Sequence, residues 1–159
     1  MDNIEITDET LNQIRCKENL YREISIEDTK LSLNQKMIVC YDMIMLDGEF
    51  GFIQEIDLNN IHGYFKQMKK FSNVSINEAI EKFHYTEHFH RSEIQGKLLT
   101  LLKKITGKTY IDQNVLIYHF ALEPENKENK SRVYFLLGKY GIIHILFFDP
   151  DHKINPVKL

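Results

Sequence analysis

Three runs near the C-terminal end constrain this chain most: VLIYHFAL (115–122), SRVYFLLG (131–138) and IIHILFF (142–148). Each is short, rich in β-branched and aromatic residues, and bounded by polar or glycine-containing segments, the pattern of a strand. The polar stretch EPENKENK joins the first two and KYG joins the last two. A three-residue loop with Gly in the third place predicts a type I turn closed by a bulge at Gly141. Residues 108–159 therefore read as a three-stranded antiparallel meander.

That turn sets a register in which Phe135 faces Ile145 and Tyr134 faces Leu146. Because side chains alternate, one face receives Leu116, Tyr118, Phe120, Val133, Phe135, Leu137, Ile143, Ile145 and Phe147, with no charge among them. The other receives Ile117, His119, Arg132, Tyr134, Leu136, His144, Leu146 and Phe148. A slip of one residue would carry His144 into the apolar set, so the clean partition favours this register.

Upstream, the texture is helical. SINE (75–78) and SEIQ (92–95) match the capping-box pattern, in which a Ser hydroxyl and a Glu or Gln carboxyl or amide satisfy free amides at a helix start. SLNQ (32–35) matches it too. The SEIQ box predicts a helix over 93–106, with Ile94, Leu98, Leu101, Leu102 and Ile105 as its apolar stripe and Gly107 as its stop. This helix is the expected cover of the apolar sheet face. A second helix is expected from about Asp57, and a short one from Ser75 to about His84. Residues 8–20 suggest another helix and YREISIED (21–28) a short strand. The segment 37–46 can be a buried helix or a strand.

The class that follows is α+β, in one domain over 1–159: an N-terminal helical extension (1–56), helices (57–107) and the meander (108–159). No apolar run approaches a membrane span, the N-terminus is acidic and unlike a secretory signal, and Cys16 and Cys40 stand in no metal-like spacing. A cytoplasmic protein with reduced thiols is expected. The net charge of −3 is uneven: residues 1–60 carry five basic and thirteen acidic side chains, and residues 61–110 nine and four. An acidic chain argues against a general nucleic-acid binder, but its basic middle, including Lys97, Lys104 and Lys108, leaves room for an anion or an acidic partner.

For chemistry, His119, Arg132, Tyr134 and His144 form one candidate cluster, with an Arg fork for an anion and His and Tyr for proton transfer. The plainer alternative makes both histidines hydrogen-bonded packing residues. In DPDHK (149–153), Asp149 and His152 stand at a strand exit, which a turn alone would explain. HYTEHFHR (84–91) holds His84, His88 and His90, but neither helical nor extended spacing brings all three together, so no metal is assigned. With no phosphate-binding glycine loop, nucleophile motif or calcium loop, no cofactor is assigned either. The half-apolar second face, through Ile117, Leu136 and Leu146, needs cover from the chain itself, a protein partner or a second copy.

From the capped helix at Ser92 onward, the order of helix, three-stranded meander and short polar tail resembles the C-terminal half of RelE/ParE-type bacterial toxins. The likeness spans at most residues 57–155. In the RNA-cleaving members, basic and aromatic side chains on the sheet handle the scissile phosphate, a role that the resemblance offers to Arg132, Tyr134, His144 and His152. Those toxins are shorter and strongly basic, whereas this chain is acidic. The closing HILFFDPDHKINP also looks like the end of small uncharacterised proteins of bacterial mobile elements. Two functions follow: a small binding or regulatory protein acting through protein contact, or a RelE-like ribonuclease.

Overall fold

The structure, a computed structural model, describes residues 26–112, 114–128 and 130–156. The expected helix over 8–20 lies outside them. The class is α+β, with helices leading and strands closing the chain. Among the described residues, no helix is long and apolar enough to cross a membrane.

The predicted meander is present as β3 (Leu116–Ala121), β4 (Arg132–Leu137) and β5 (Ile142–Asp149), but it forms the middle of a larger sheet. Two short strands, β1 (Ile38–Cys40) and β2 (His90–Ser92), extend it to five strands in the order β1-β5-β4-β3-β2. β1 runs parallel to β5 and every other pair is antiparallel. Of the open choice for 37–46, residues 38–40 are a strand and 41–46 are irregular. Beyond β1 the chain keeps to the edge of β5, where Met45 N–H donates to the Leu146 carbonyl and Phe148 N–H to that of Phe50. Backbone groups that an open edge would leave exposed are satisfied in this way.

The hairpin register holds on one side of a bulge and fails on the other. Phe135 pairs with Ile145 as expected, but the ladder shifts between Tyr134 and Phe135, and Tyr134 pairs with Phe147 rather than Leu146. One extra residue in β5 puts both Leu146 and Phe147 on the same side of the sheet and turns Phe148 to the other, as a bulge does. The connecting turn also differs from expectation. Gly141 has the positive φ, 73°, that the predicted bulge asks for, but Tyr140 has one too, at 59°, which a type I turn does not allow. Gly is required at 141 twice over, because a Cβ there would stand 2.8 Å from the Lys36 carbonyl.

Both faces of the sheet are covered, giving three layers. Over one lie α3 (Leu58–Phe71) and α4 (Ile76–Phe83), which close an aromatic core of Tyr64, Phe71, Phe89, Phe120, Phe135 and Phe148. Asp57 caps α3 by accepting from Asn60 N–H, and Ser75 with Glu78 makes the full capping box of α4. Over the other lies α5 (Gly96–Thr106), with Leu98 and Leu102 fully buried against Ile117, Leu136 and Leu146. The expectation that this helix covers the all-apolar face is therefore corrected: it covers the mixed one. The all-apolar face packs instead against the α3–α4 pair, whose aromatic side chains fill a wider space than one helix can.

Two other starts differ. α5 begins at Gly96 with Gln95 at its cap, and Ser92 belongs to β2. Ser32 lies in the last turns of α1 (Ile26–Asn34) rather than at a helix start, and 26–28 are helical rather than extended. The short α2 (Phe52–Glu55) follows the loop after β1.

Candidate functional site

The α5 face carries the polar strand residues, and the ladder sorts them into two groups. In one row of the sheet His90, His119 and Tyr134 are successive partners across β2, β3 and β4. The next row pairs Arg132 with Asp149. In the row on the far side, Cys40 pairs with His144, which pairs with Leu136. His119, Arg132 and Tyr134 are thus neighbours, while His144 stands apart, bonded through Nδ1 to Asp42 Oδ1 at 2.7 Å. All four share a face as expected, but they do not form one cluster.

Around His119 five imidazoles gather. Its ring centroid lies 5.5 Å from His90, 5.9 Å from His152 and 5.2 Å from the Tyr134 ring. His90 in turn lies 4.2 Å from His84 and 6.1 Å from His88. Neither helical nor extended spacing unites His84, His88 and His90, and the backbone uses neither: His88 sits at φ 50°, in a turn that brings the three rings together. That turn is pinned from beneath. Phe89 is fully buried among Phe71, Tyr118 and Phe135. The Glu87 carboxylate accepts from Gln67 Nε2 and Lys70 Nζ, both at 2.6 Å. Anchoring the odd-numbered Glu87 and Phe89 leaves the even-numbered His88 and His90 on the other side, where His90 meets His119.

DPDHK supplies the fifth ring. Asp149 is wholly buried and its two carboxylate oxygens accept from the backbone N–H groups of Lys153 and Ile154, at 2.9 and 2.6 Å. This closes a tight turn in which His152 adopts φ 58° and reaches His119. Asp149 is a turn-former and His152 a member of the cluster.

The electrostatics are set by burial. His119 is pushed down to about 3 and His90 to about 4, first by desolvation and then by neighbouring imidazoles and Arg132. Burial and then Arg132 lower His88 and His152 as well. Burial also lowers the Arg132 guanidinium, offset in part by Tyr134 and Asp149, and raises Tyr134. His88, His90, His119 and His152 are thus held toward the neutral, proton-accepting form beside the Arg132 cation. Arg132 Nη1 donates to the Ser131 carbonyl, but its Nε and the Tyr134 hydroxyl are buried and have no hydrogen-bond partner among the described residues.

His119 also meets solvent. Its Nδ1 shares a 2.7 Å hydrogen bond with Ser92 Oγ, and it lines a groove of about 680 Å³ with Arg91, Ser92, Lys97, Lys153 and Asn155. Three basic residues and one acid, Glu93, line this groove. Lys97 lies 4.0 Å from Glu49 and Lys153 2.6 Å from Asp151. Of the remaining sequence candidates, Lys104 is exposed and Lys108 half-buried at the far end of α5, outside this groove. Ile117, Leu136 and Leu146 are at most 1% exposed and pack under α5, so the surface they were expected to offer is taken by the chain itself.

Sequence reasoning missed Ser92 as a histidine partner, since it read that serine as a cap, and missed His90 and Asp42. The alternation of His88, Phe89 and His90 was the available signal, with one apolar anchor between two outward rings. No family model, curated protein or solved structure matches the chain.

Proposed function

We propose that the groove beside His119 binds the phosphodiester backbone of RNA and cleaves it, the ribonuclease reading of the sequence with a revised set of residues. The observation that supports it is His119 itself, an imidazole held by Ser92 through Nδ1 at the wall of a groove with a basic excess. Its Nε2 is left for proton transfer. RNA carries its own nucleophile, so no protein nucleophile is needed. An imidazole takes the 2′-hydroxyl proton, the 2′-oxygen bonds to phosphorus, and the bond to the 5′-oxygen breaks. A second ring, His90 or His152, made an imidazolium by uptake of a proton as the phosphate arrives, gives that oxygen its proton, leaving a 2′,3′-cyclic phosphate and a 5′-hydroxyl. Lys97 and Lys153 serve the phosphate, and Arg132 positions the rings from behind. An arriving anion also reverses the forces that depress the histidines, because opposite charge favours the imidazolium.

The test is incubation of the purified protein with single-stranded RNA and with messenger RNA on ribosomes, followed by analysis of the ends. Cyclic-phosphate ends are expected, with the rate reduced about 100-fold or more in His119→Gln, the lower range for a general acid or base. Arg132→Ala should lose activity as well. Absence of cleavage on and off ribosomes, or an undiminished His119→Gln rate, overturns the reading.

The protein-contact function draws support from a different place than the sheet. On α3, Leu58, Ile61 and Phe65 are 83%, 36% and 63% exposed at helical spacing, an apolar stripe that a second copy of the chain can cover. Sedimentation of wild type against Leu58→Ser/Phe65→Ser decides it: a concentration-dependent dimer lost in the double variant is expected, and a monomer at all concentrations removes this reading.

A further inference from the structure

Parallel pairing of β1 with β5 sets Cys40 directly beside His144, and paired residues in a ladder point to the same side. Asp42, just past the end of β1, turns back over them. Its Oδ1 accepts from the Cys40 thiol at 3.3 Å and from His144 Nδ1 at 2.7 Å. A thiol sulfur, a carboxylate oxygen and an imidazole nitrogen thus lie within 4.8 Å of one another, and among the described residues no other set of three such ligands does. The five-histidine cluster, for all its rings, does not converge in this way.

We propose that Cys40, Asp42 and His144 form a transition-metal site, with zinc the ion that its donors suit. Zinc takes sulfur at about 2.3 Å and nitrogen or oxygen at about 2.0–2.2 Å in a tetrahedron. Tetrahedral ligands at those lengths stand somewhat farther apart than the hydrogen-bonded atoms here, so the ion enters by widening the triangle a few tenths of an ångström. Asp42 is the ligand that can move, lying on a loop with its side chain 25% exposed, while His144 is fixed at 1%. Cys40 gives up its thiol proton and His144 presents Nδ1 by carrying its proton on Nε2. A thiolate with an imidazole selects zinc, cobalt or copper over magnesium and calcium, which prefer oxygen. Three protein ligands leave the fourth position open to water, the arrangement of a metal that acts on a substrate rather than one that only braces a fold. This site lies toward the β1 edge of the sheet, away from the His119 groove at the β2 edge, and does not depend on it.

The experiment uses the full chain, reduced and free of metal, titrated with Co²⁺ as a spectroscopic probe. A thiolate-to-cobalt charge-transfer band should appear at one equivalent, with visible bands of tetrahedral strength, and Zn²⁺ should displace both. Because the chain has two cysteines, Cys16→Ser is made as well and should keep the band, whereas Cys40→Ser loses it. Asp42→Asn preserves the shape of the loop and should weaken binding about 100-fold or more, since even residues that only orient a ligand are worth about 10–100-fold. Folding of each variant is checked by circular dichroism. A folded wild-type protein that shows no thiolate band at saturating Co²⁺, or a band that follows Cys16 instead of Cys40, overturns the site.

Discussion

Under α3 and α4 the strands present Tyr118, Phe120, Val133, Phe135, Ile143 and Ile145; under α5 the same strands present His119, Tyr134 and His144 among aliphatic side chains. Both sets are buried, His119 and His144 at 8% and 1% exposure against 0% for Phe135. The apolar face meets two helices and aromatic rings pack through it, Tyr118 stacked on Phe135 and Phe71 edge-on to Phe120 among them. The mixed face meets one helix, an irregular loop and a turn, and these bring the polar partners: Ser92 for His119, Asp42 for His144. Burial of an imidazole is tolerated only where a partner arrives with the cover. Regular helices supply apolar stripes, whereas loops and short edge strands supply hydroxyls and carboxylates. That difference is why His119 and His144 are buried on the α5 side of the sheet and not under α3 and α4.

The largest effects should come from the shared apolar content. Phe135→Ala should cost about 3–5 kcal/mol and Leu102→Ala about 2–5 kcal/mol, the usual range for emptying a core position. Urea unfolding measures both. If Leu102→Ala costs under about 0.5 kcal/mol, as a surface change does, α5 is not a true second cover and the comparison fails.

Acid should then separate the faces. His119 and His90 have folded values of about 3 and 4 against an ordinary 6.5. The unfolded chain therefore binds more protons between those values, and stability must rise with pH there. It is complete above about pH 6.5 and is lost as pH falls toward 4 and 3. The urea midpoint should drop between pH 7 and 5, and drop less in His119→Gln. An equal slope in the variant would place the acid sensitivity elsewhere.

Two serines sharpen the contrast at smaller scale. Ser92→Ala leaves His119 Nδ1 buried without its partner and should cost about 1–3 kcal/mol. Ser75→Ala removes the cap of α4 and should cost about 1 kcal/mol. Last comes Tyr134→Phe, which deletes a hydroxyl that is buried and unpartnered among the described residues. It should be neutral or stabilising by up to about 1 kcal/mol, and a loss of more than that would reveal a partner for the hydroxyl.

Both of those serines begin a capping-box pattern, and only Ser75 caps. Local sequence could not tell them apart, because the same Ser-x-x-Glu/Gln pattern serves a strand end when an imidazole on the next strand takes the hydroxyl. The capped helices at Asp57 and Ser75, the three strands and the pairing of Phe135 with Ile145 were legible, since each rests on neighbours a few residues away. The bulge beyond Phe135 was not. It depends on how Leu146, Phe147 and Phe148 divide between two covers, and both covers come from distant parts of the chain. The site was half legible. His119, Arg132 and Tyr134 do stand as neighbours, but His144, grouped with them through the shared face, lies farther along β5 beside Asp42.

The sequence by itself determined the α+β class, the strand periods and, as far as the bulge, which side chains would share a face, because alternation and helical spacing are properties of the local backbone. Only the tertiary structure decided which helix lies on which face, and that five histidines from a helix end, a turn, two strands and a strand exit would meet. It alone put Cys40 beside His144, more than a hundred residues away. Such meetings follow from the packing of whole elements and from parallel pairing. These bring together residues whose separation along the chain carries no periodic signal.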